Sequence, residues 1–202
     1  MRYAMIINKK RCFGCNACTV ACKQTNASLP GAFYTKVTVE EKGVFPASTV
    51  EYMPHICFHC DNAPCVEVCP TTASKKMADG TVQVDENACI GCESCIDACP
   101  YGARFYNDPD GQLTYWEGKG QDLYEKTRYG EIRLATVTKC TFCASRRERG
   151  MPPACVETCP GAARIFGDLD DPDSEISKAY KKHKPKPYKP EEGTKPRVFY
   201  ID

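Results

Sequence analysis

Apolar and polar positions in this chain alternate only in short bursts, and each burst is too brief for a long element. Tyr3 to Asn8 alternates enough to predict a strand. Ala32 to Glu41, with Phe33, Tyr34, Val37 and Val39, predicts a second, and Thr81 to Asp85 a third. No run reaches the roughly eighteen consecutive apolar residues that a bilayer span needs, so no direct membrane span is expected. The apolar part of Met1 to Asn8 is too short for a signal peptide, so any export is expected to use a partner's signal. Between the bursts there is room for single helical turns. The pattern predicts an α+β chain with modest regular secondary structure.

Cysteine changes this picture. The 202 residues include 16 cysteines, and they fall into four groups of four. Cys12, Cys15, Cys18 and Cys22 run C-x2-C-x2-C-x3-C, and Cys57, Cys60, Cys65 and Cys69 run C-x2-C-x4-C-x3-C-P. Cys89, Cys92, Cys95 and Cys99 give C-x2-C-x2-C-x3-C-P, the run of bacterial ferredoxins; Cys140, Cys143, Cys155 and Cys159 give C-x2-C-x11-C-x3-C-P. Three thiolates must converge on three irons of one cube while the backbone turns its N–H groups toward the sulfides, and two-residue gaps allow both. The fourth cysteine lies one helical turn past the third and, in two-cluster ferredoxins, ligates the other cluster of the pair. The groups are therefore expected to work in twos. Groups two and three lie close in sequence and suit one compact module, while groups one and four, at the two ends, would pair by wrapping around it.

Two other chemistries use many cysteines. Disulfide scaffolds are usually short secreted chains, whereas this chain is longer and repeats one cluster grammar four times. Zinc also takes paired C-x2-C elements, but it gives no reason for the C-x3-C-P that ends three of the groups. Iron–sulfur ligation is the reading that accounts for both. The hydrophobic fraction of 42% counts the cysteines, so the ordinary core is thin and cluster ligation is expected to supply much of the folding free energy. A net charge of +1 provides no global field for nucleic acid or anionic membrane.

The ligand unit is repeated beyond its cysteines. Pro64-Cys65-Val66-Glu67-Val68-Cys69-Pro70 matches Ala154-Cys155-Val156-Glu157-Thr158-Cys159-Pro160, and Cys95 to Pro100 is a looser copy. Small-residue runs follow each proline: Thr71-Thr72-Ala73, Tyr101-Gly102-Ala103 and Gly161-Ala162-Ala163. The expected architecture is two interleaved bacterial-ferredoxin-like two-cluster modules. Residues 1–54 and 136–173 form the outer module and 55–106 the inner one, with an insertion over 107–135 and an extended C-terminal arm over 174–202.

Outside the cysteines the readings are plainer. His55 and His59 flank group two, where they could ligate iron or simply pack and hydrogen-bond. Lys9, Lys10, Arg11, Lys23 and Lys139 sit beside ligands, where they either raise a potential or form solvated surface. The insertion, with Asp110-Gly111 and Gly118-Lys119-Gly120 as turn signals and Trp116, Tyr124 and Tyr129 as aromatics, reads as a hairpin or loop. It serves either as a docking surface or as an aromatic cap over the clusters. Lys181 to Pro190 is basic and proline-rich, hence extended, and Arg197 to Ile201 is a strand-like apolar tail. An arm along a larger subunit is favoured over a disordered tail, because the apolar run would otherwise be exposed. Nucleic-acid binding lacks a compact basic fold.

The order and spacing of all four motifs resembles the iron–sulfur electron-transfer subunits of molybdopterin oxidoreductases of the dimethyl sulfoxide reductase superfamily, over roughly Met1 to Asp173. Cys12-Phe13-Gly14-Cys15, His59 to Cys65, Lys139-Cys140-Thr141-Phe142-Cys143 and Phe166 to Pro172 carry the resemblance in the flanks, which look most like the polysulfide, thiosulfate, tetrathionate and arsenate reductase types. The resemblance implies four [4Fe-4S] clusters with crossed ligands. Cluster 1 would take Cys12, Cys15, Cys18 and Cys159, and cluster 2 Cys140, Cys143, Cys155 and Cys22. Cluster 3 would take Cys57, Cys60, Cys65 and Cys99, and cluster 4 Cys89, Cys92, Cys95 and Cys69. It further implies a noncatalytic relay. Electrons would pass between a large catalytic subunit carrying molybdopterin with molybdenum or tungsten and a quinol-linked membrane subunit or soluble carrier. The extracytoplasmic side, reached by co-export, is the implied location, with the cytoplasm as the alternative. A stand-alone polyferredoxin is the competing function, and a zinc scaffold, colourless and redox-silent, the third.

Overall fold

The computed structural model of the chain describes residues 1–111, 113, 114 and 120–202. Trp116 and the turn signal at Gly118-Lys119 lie outside them. β1 (Tyr3–Asn8) is central to the largest sheet, whose order is β8 (Arg164–Asp168), β1, β10 (Val198–Ile201), β9 (Lys186–Pro187). β8 runs antiparallel to β1, with Ile6 opposite Ile165, and β10 runs parallel to it, with Ile6 opposite Phe199. Both faces of β1 are covered, so Ala4 to Ile7 are all buried. Met5 and Ile7 join Phe58, Phe142, Val198 and Tyr200 on one face; Ala4 and Ile6 meet Ile176 and Ala179 on the other. This is the two-residue side-chain period of a strand. Each buried Ile contributes about 1.5–3 kcal/mol relative to exposure.

β2 (Thr35–Lys42) and β3 (Thr49–Ile56) form a hairpin in register from Thr35–Ile56 to Lys42–Thr49. β2 starts later than the Ala32 boundary expected from sequence, because the Ala32 N–H closes a turn onto the Leu29 carbonyl and its side chain is buried. Two smaller pairs complete the strands: β4 (Ser74–Lys76) with β5 (Val82–Val84), and β6 (Arg104–Asn107) with β7 (Thr136–Lys139). The expected strand over Thr81 to Asp85 is thus present as β5.

The insertion leaves along β6 and returns along β7. Its described part turns at Asp108–Gly111 and carries a helix, α4 (Leu123–Tyr129), started by a reciprocal capping box in which Asp122 accepts from the Glu125 N–H and Glu125 from the Asp122 N–H. α4 sits on the end of α1 (Ala17–Asn26). The Tyr124 hydroxyl donates to the Gln24 carbonyl at 2.9 Å, and Tyr129 is buried with Ala27 and Leu29. Tyr129 therefore packs in a small aliphatic cluster that holds no cysteine, while Leu123 stays exposed.

The extended arm expected over 174–202 is corrected. Ser174 caps α7 (Glu175–His183) by accepting from the Ser177 N–H, and Ile176 and Ala179 bury one helix face against β1. Lys181 and Lys182 fall on the exposed side, so the basic run is one face of an amphipathic helix. The apolar tail becomes β10, whose partner β1 lies almost the whole chain away. Arg197 clasps Asp61 at 2.6 Å, and the Tyr200 hydroxyl donates to the Pro54 carbonyl at 2.7 Å. What covers the tail is this chain's own first strand.

Candidate metal centre

The four cysteine groups share one local construction. The third cysteine of each lies on a helix: Cys18 on α1, Cys65 on α2 (Pro64–Glu67), Cys95 on α3 (Ser94–Asp97) and Cys155 on α6 (Ala154–Glu157). A further turn, α5 (Ala144–Arg147), follows Cys143. α1 packs on α6 and α2 on α3, which brings group one to group four and group two to group three. The residue before every second cysteine is left-handed: Gly14 (φ 72°), His59 (44°), Gly91 (68°) and Phe142 (52°). That conformation turns the C-x2-C loop back on itself. At Gly91 nothing larger fits, since a Cβ would lie 2.4 Å from the Ala135 carbonyl oxygen. His59 and Phe142 accept the strain and are instead stacked on each other, ring centroids 3.8 Å apart and fully buried. The third residue after Cys69, Cys99 and Cys159 repeats the left-handed turn, its N–H returning to the cysteine carbonyl.

The sulfurs gather across groups. One cavity is lined by Cys12, Cys15, Cys18 and Cys159, and another by Cys57, Cys60, Cys65 and Cys99. The Asn26 side-chain amide lies 3.3 Å from the Cys22 sulfur and 4.0 Å from that of Cys143, so Cys22 leaves its own group and joins group four. Cys95 is in electrostatic reach of Cys89 and Cys69. In the two cavities three sulfurs from one group line the same space as the fourth of another, Cys22 approaches Cys143 and Cys155, and Cys95 approaches Cys89 and Cys69.

Electrostatics at these sets fit a metal cofactor. Burial pushes the thiols of Cys22 and Cys60 up to about 12, and that of Cys140 well above its ordinary value. Buried thiolates need a cation, which iron supplies by displacing the protons. At Cys69 burial also works upward, but the Ser74 N–H and the Thr71 hydroxyl outweigh it and hold the thiol below its ordinary value. Backbone N–H groups point at sulfur from Ser74 to Cys69 (3.3 Å), Val137 to Cys89 (3.4 Å), Phe142 to Cys140 (3.4 Å) and Ala163 to Cys159 (3.3 Å). Two buried nitrogens beside the cysteines, His59 Nε2 and Arg104 Nη1, have no protein acceptor among the described residues. An anionic cluster with exposed sulfides offers acceptors to such donors.

Of the flanking residues, His59 Nδ1 accepts the Val82 N–H at 3.1 Å, which leaves the proton on Nε2 and makes the ring a donor rather than a ligand. His55 pairs with the Thr38 hydroxyl at 3.1 Å and packs edge-on against Tyr188. Lys139 is not solvated surface: it is 2% exposed and its ammonium donates to the carbonyls of Cys140 and Val82. Lys23 is half-buried and donates to the Ser28 and Leu29 carbonyls. Two further residues, which no cysteine motif names, contact the sulfurs. Arg104 and Arg164, each 4% exposed, donate to Cys65 at 2.9 Å and Cys18 at 3.5 Å. Each stands five residues after a fourth cysteine, one position beyond the repeated small-residue run, and that periodicity was the available signal.

Comparison with known proteins agrees with iron–sulfur chemistry. The 4Fe-4S dicluster domain matches residues 48–117 and 123–169, and a second 4Fe-4S dicluster domain model matches residues 11–73. The arsenate respiratory reductase iron-sulfur subunit of Shewanella sp. is 39% identical, with 100% of this chain and 96% of that protein covered. A tetrathionate reductase subunit of Salmonella typhimurium is 43% identical over 99% of this chain and 72% of its own length. A putative dimethyl sulfoxide reductase iron-sulfur subunit of Halobacterium salinarum is 40% identical over 99% and 79%. Two dicluster domains carry four 4Fe-4S clusters. The chain belongs to the family of iron–sulfur electron-transfer subunits of molybdopterin reductases, built on the 4Fe-4S dicluster domain.

Proposed function

We propose that this chain relays single electrons between a large molybdopterin catalytic subunit, carrying molybdenum or tungsten, and a quinol-linked membrane subunit or soluble carrier. Bound clusters supply reversible one-electron redox capacity. Cys12, Cys15, Cys18 and Cys159 would hold cluster 1; Cys140, Cys143, Cys155 and Cys22 cluster 2. Cys57, Cys60, Cys65 and Cys99 would hold cluster 3, and Cys89, Cys92, Cys95 and Cys69 cluster 4. The observation that carries the assignment is the pair of cavities in which three sulfurs of one group line the same space as the fourth of another.

The path would run from group one through groups four and two to group three. In its support, Cys140 of group four is in electrostatic reach of Cys57 of group two, which links the outer and inner pairs. Cys15 of group one and Cys92 of group three are the exposed cysteines, and the exposed side chains of Phe13 and Ile90 lie beside them. Those ends suit contact with partners, whereas the buried middle keeps water from the intervening steps. We assign group one to the catalytic subunit and group three to the exit carrier.

Anaerobic affinity isolation of the native protein, with iron, molybdenum and tungsten quantified together, tests the partnership. A co-purifying large subunit that carries molybdenum or tungsten, alongside about sixteen irons per copy of this chain, is the expected result. The same iron content with no large partner would favour a free polyferredoxin.

A further inference from the structure

Three buried cations are threaded between the cysteine sets, and the two arginines among them repeat a single geometry. Arg164 donates to the sulfur of Cys18 at 3.5 Å and to the Thr35 hydroxyl at 2.9 Å, and its charge also faces Cys155. Arg104 does the same in the inner pair: it donates to Cys65 at 2.9 Å and the Ser74 hydroxyl at 2.5 Å, and it faces Cys95. Each guanidinium thus spans the third cysteines of both groups in its pair. Lys139 lies at the junction of the pairs, its ammonium held by the carbonyls of Cys140 and Val82, the latter residue lining the cavity of Cys57, Cys60, Cys65 and Cys99.

We infer that Arg164, Lys139 and Arg104 are the fixed counter-charges of the relay, one at each of its three steps: cluster 1 to 2, 2 to 3 and 3 to 4. The inference rests on the ligand sets proposed above. At every step one electron is lost on one side of the cation and gained on the other, with no bond broken and no proton released. A positive charge lying between donor and acceptor stabilises the reduced form of both. It therefore raises both potentials, and its burial shields the effect from salt. These are positioning and potential-setting residues, not ligands.

The test is a spectroscopically monitored redox titration of the assembled complex, with iron counted on each sample. Arg104→Gln is expected to keep about sixteen irons and to lower two of the four potentials, each by about tenfold in its reduction equilibrium, or about 59 mV. Arg164→Gln should lower the other two, and Lys139→Gln one member of each pair. Arg104→Lys, which keeps the charge and changes the hydrogen bonds, should stay close to the unaltered potentials. If Arg104→Gln loses iron while Arg104→Lys keeps both iron and potentials, the requirement for charge stands. Full iron with unmoved potentials, equal shifts at all four clusters, or failure of Arg104→Lys alongside Arg104→Gln would overturn the inference. None of these results resembles failure of the ligand sets, which would appear as iron lost from the wrong cluster in cysteine variants.

Discussion

The Cys22→Ser variant is expected to lose about four of roughly sixteen irons, and the cluster it loses is the one that Cys143→Ser loses, not the one removed by Cys12→Ser. Cys22 sits in group one by sequence, but its sulfur shares the Asn26 amide with Cys143 and is in electrostatic reach of Cys155. Serine keeps the size of the side chain and removes the thiolate, so helix α1 keeps its packing against α6 while one corner of the cube goes unligated. Because cluster 2 is an interior step of the proposed path, electron throughput of the complex should fall to background even though three clusters remain. Spectra of the three variants, recorded with their iron contents, check this. If Cys22→Ser and Cys12→Ser lost the same signal, ligation would be uncrossed.

Removing residues 197–202 is expected to abolish accumulation of folded, iron-loaded protein. The deletion strips β10 from the edge of β1, takes Val198 and Tyr200 out of the core, and breaks the clasp between Arg197 and Asp61. Burial of the two side chains contributes about 1.5–3 kcal/mol each, and the lost strand pairing exposes backbone groups of β1. Set against a typical total stability of about 5–15 kcal/mol, that is a large share. Tyr200→Phe, which loses only the hydrogen bond to Pro54, should cost about 1 kcal/mol and leave the iron content unchanged. Soluble expression and thermal unfolding of the two variants measure this. A truncated chain that folded with full iron and lost only its partner would restore the free-arm reading.

These contrasts indicate what the sequence could carry. The cysteine spacing was legible because ligation chemistry is local: a C-x2-C loop and a one-turn helix need only their own few residues. The proposed pairing of group one with group four rests on a local rule too, since the fourth cysteine of a run points away from its own cluster. The C-terminal segment was misread because lysine and proline dominate its composition, while the periodicity of Ile176 and Ala179 is short and the partner of β10 is a strand at the opposite end of the chain. α4 was hidden among turn signals, although Asp122 and Glu125 spell a capping box in the sequence. Arg104 and Arg164 followed a repeat that was recognised up to the preceding alanine. Lys139 looked like any charged residue beside a ligand, and only the β6–β7 pairing and its approach to β5 bury it.

A four-cluster relay is defined by the number of electrons the protein accepts. In an anaerobic reductive titration of the purified complex, corrected for the electrons taken by the molybdenum or tungsten centre, this chain should take up about four electrons, one per cluster, with about sixteen irons and as many acid-labile sulfides. Uptake of two or fewer electrons, or zinc in place of iron in the same cysteine sets, would contradict it.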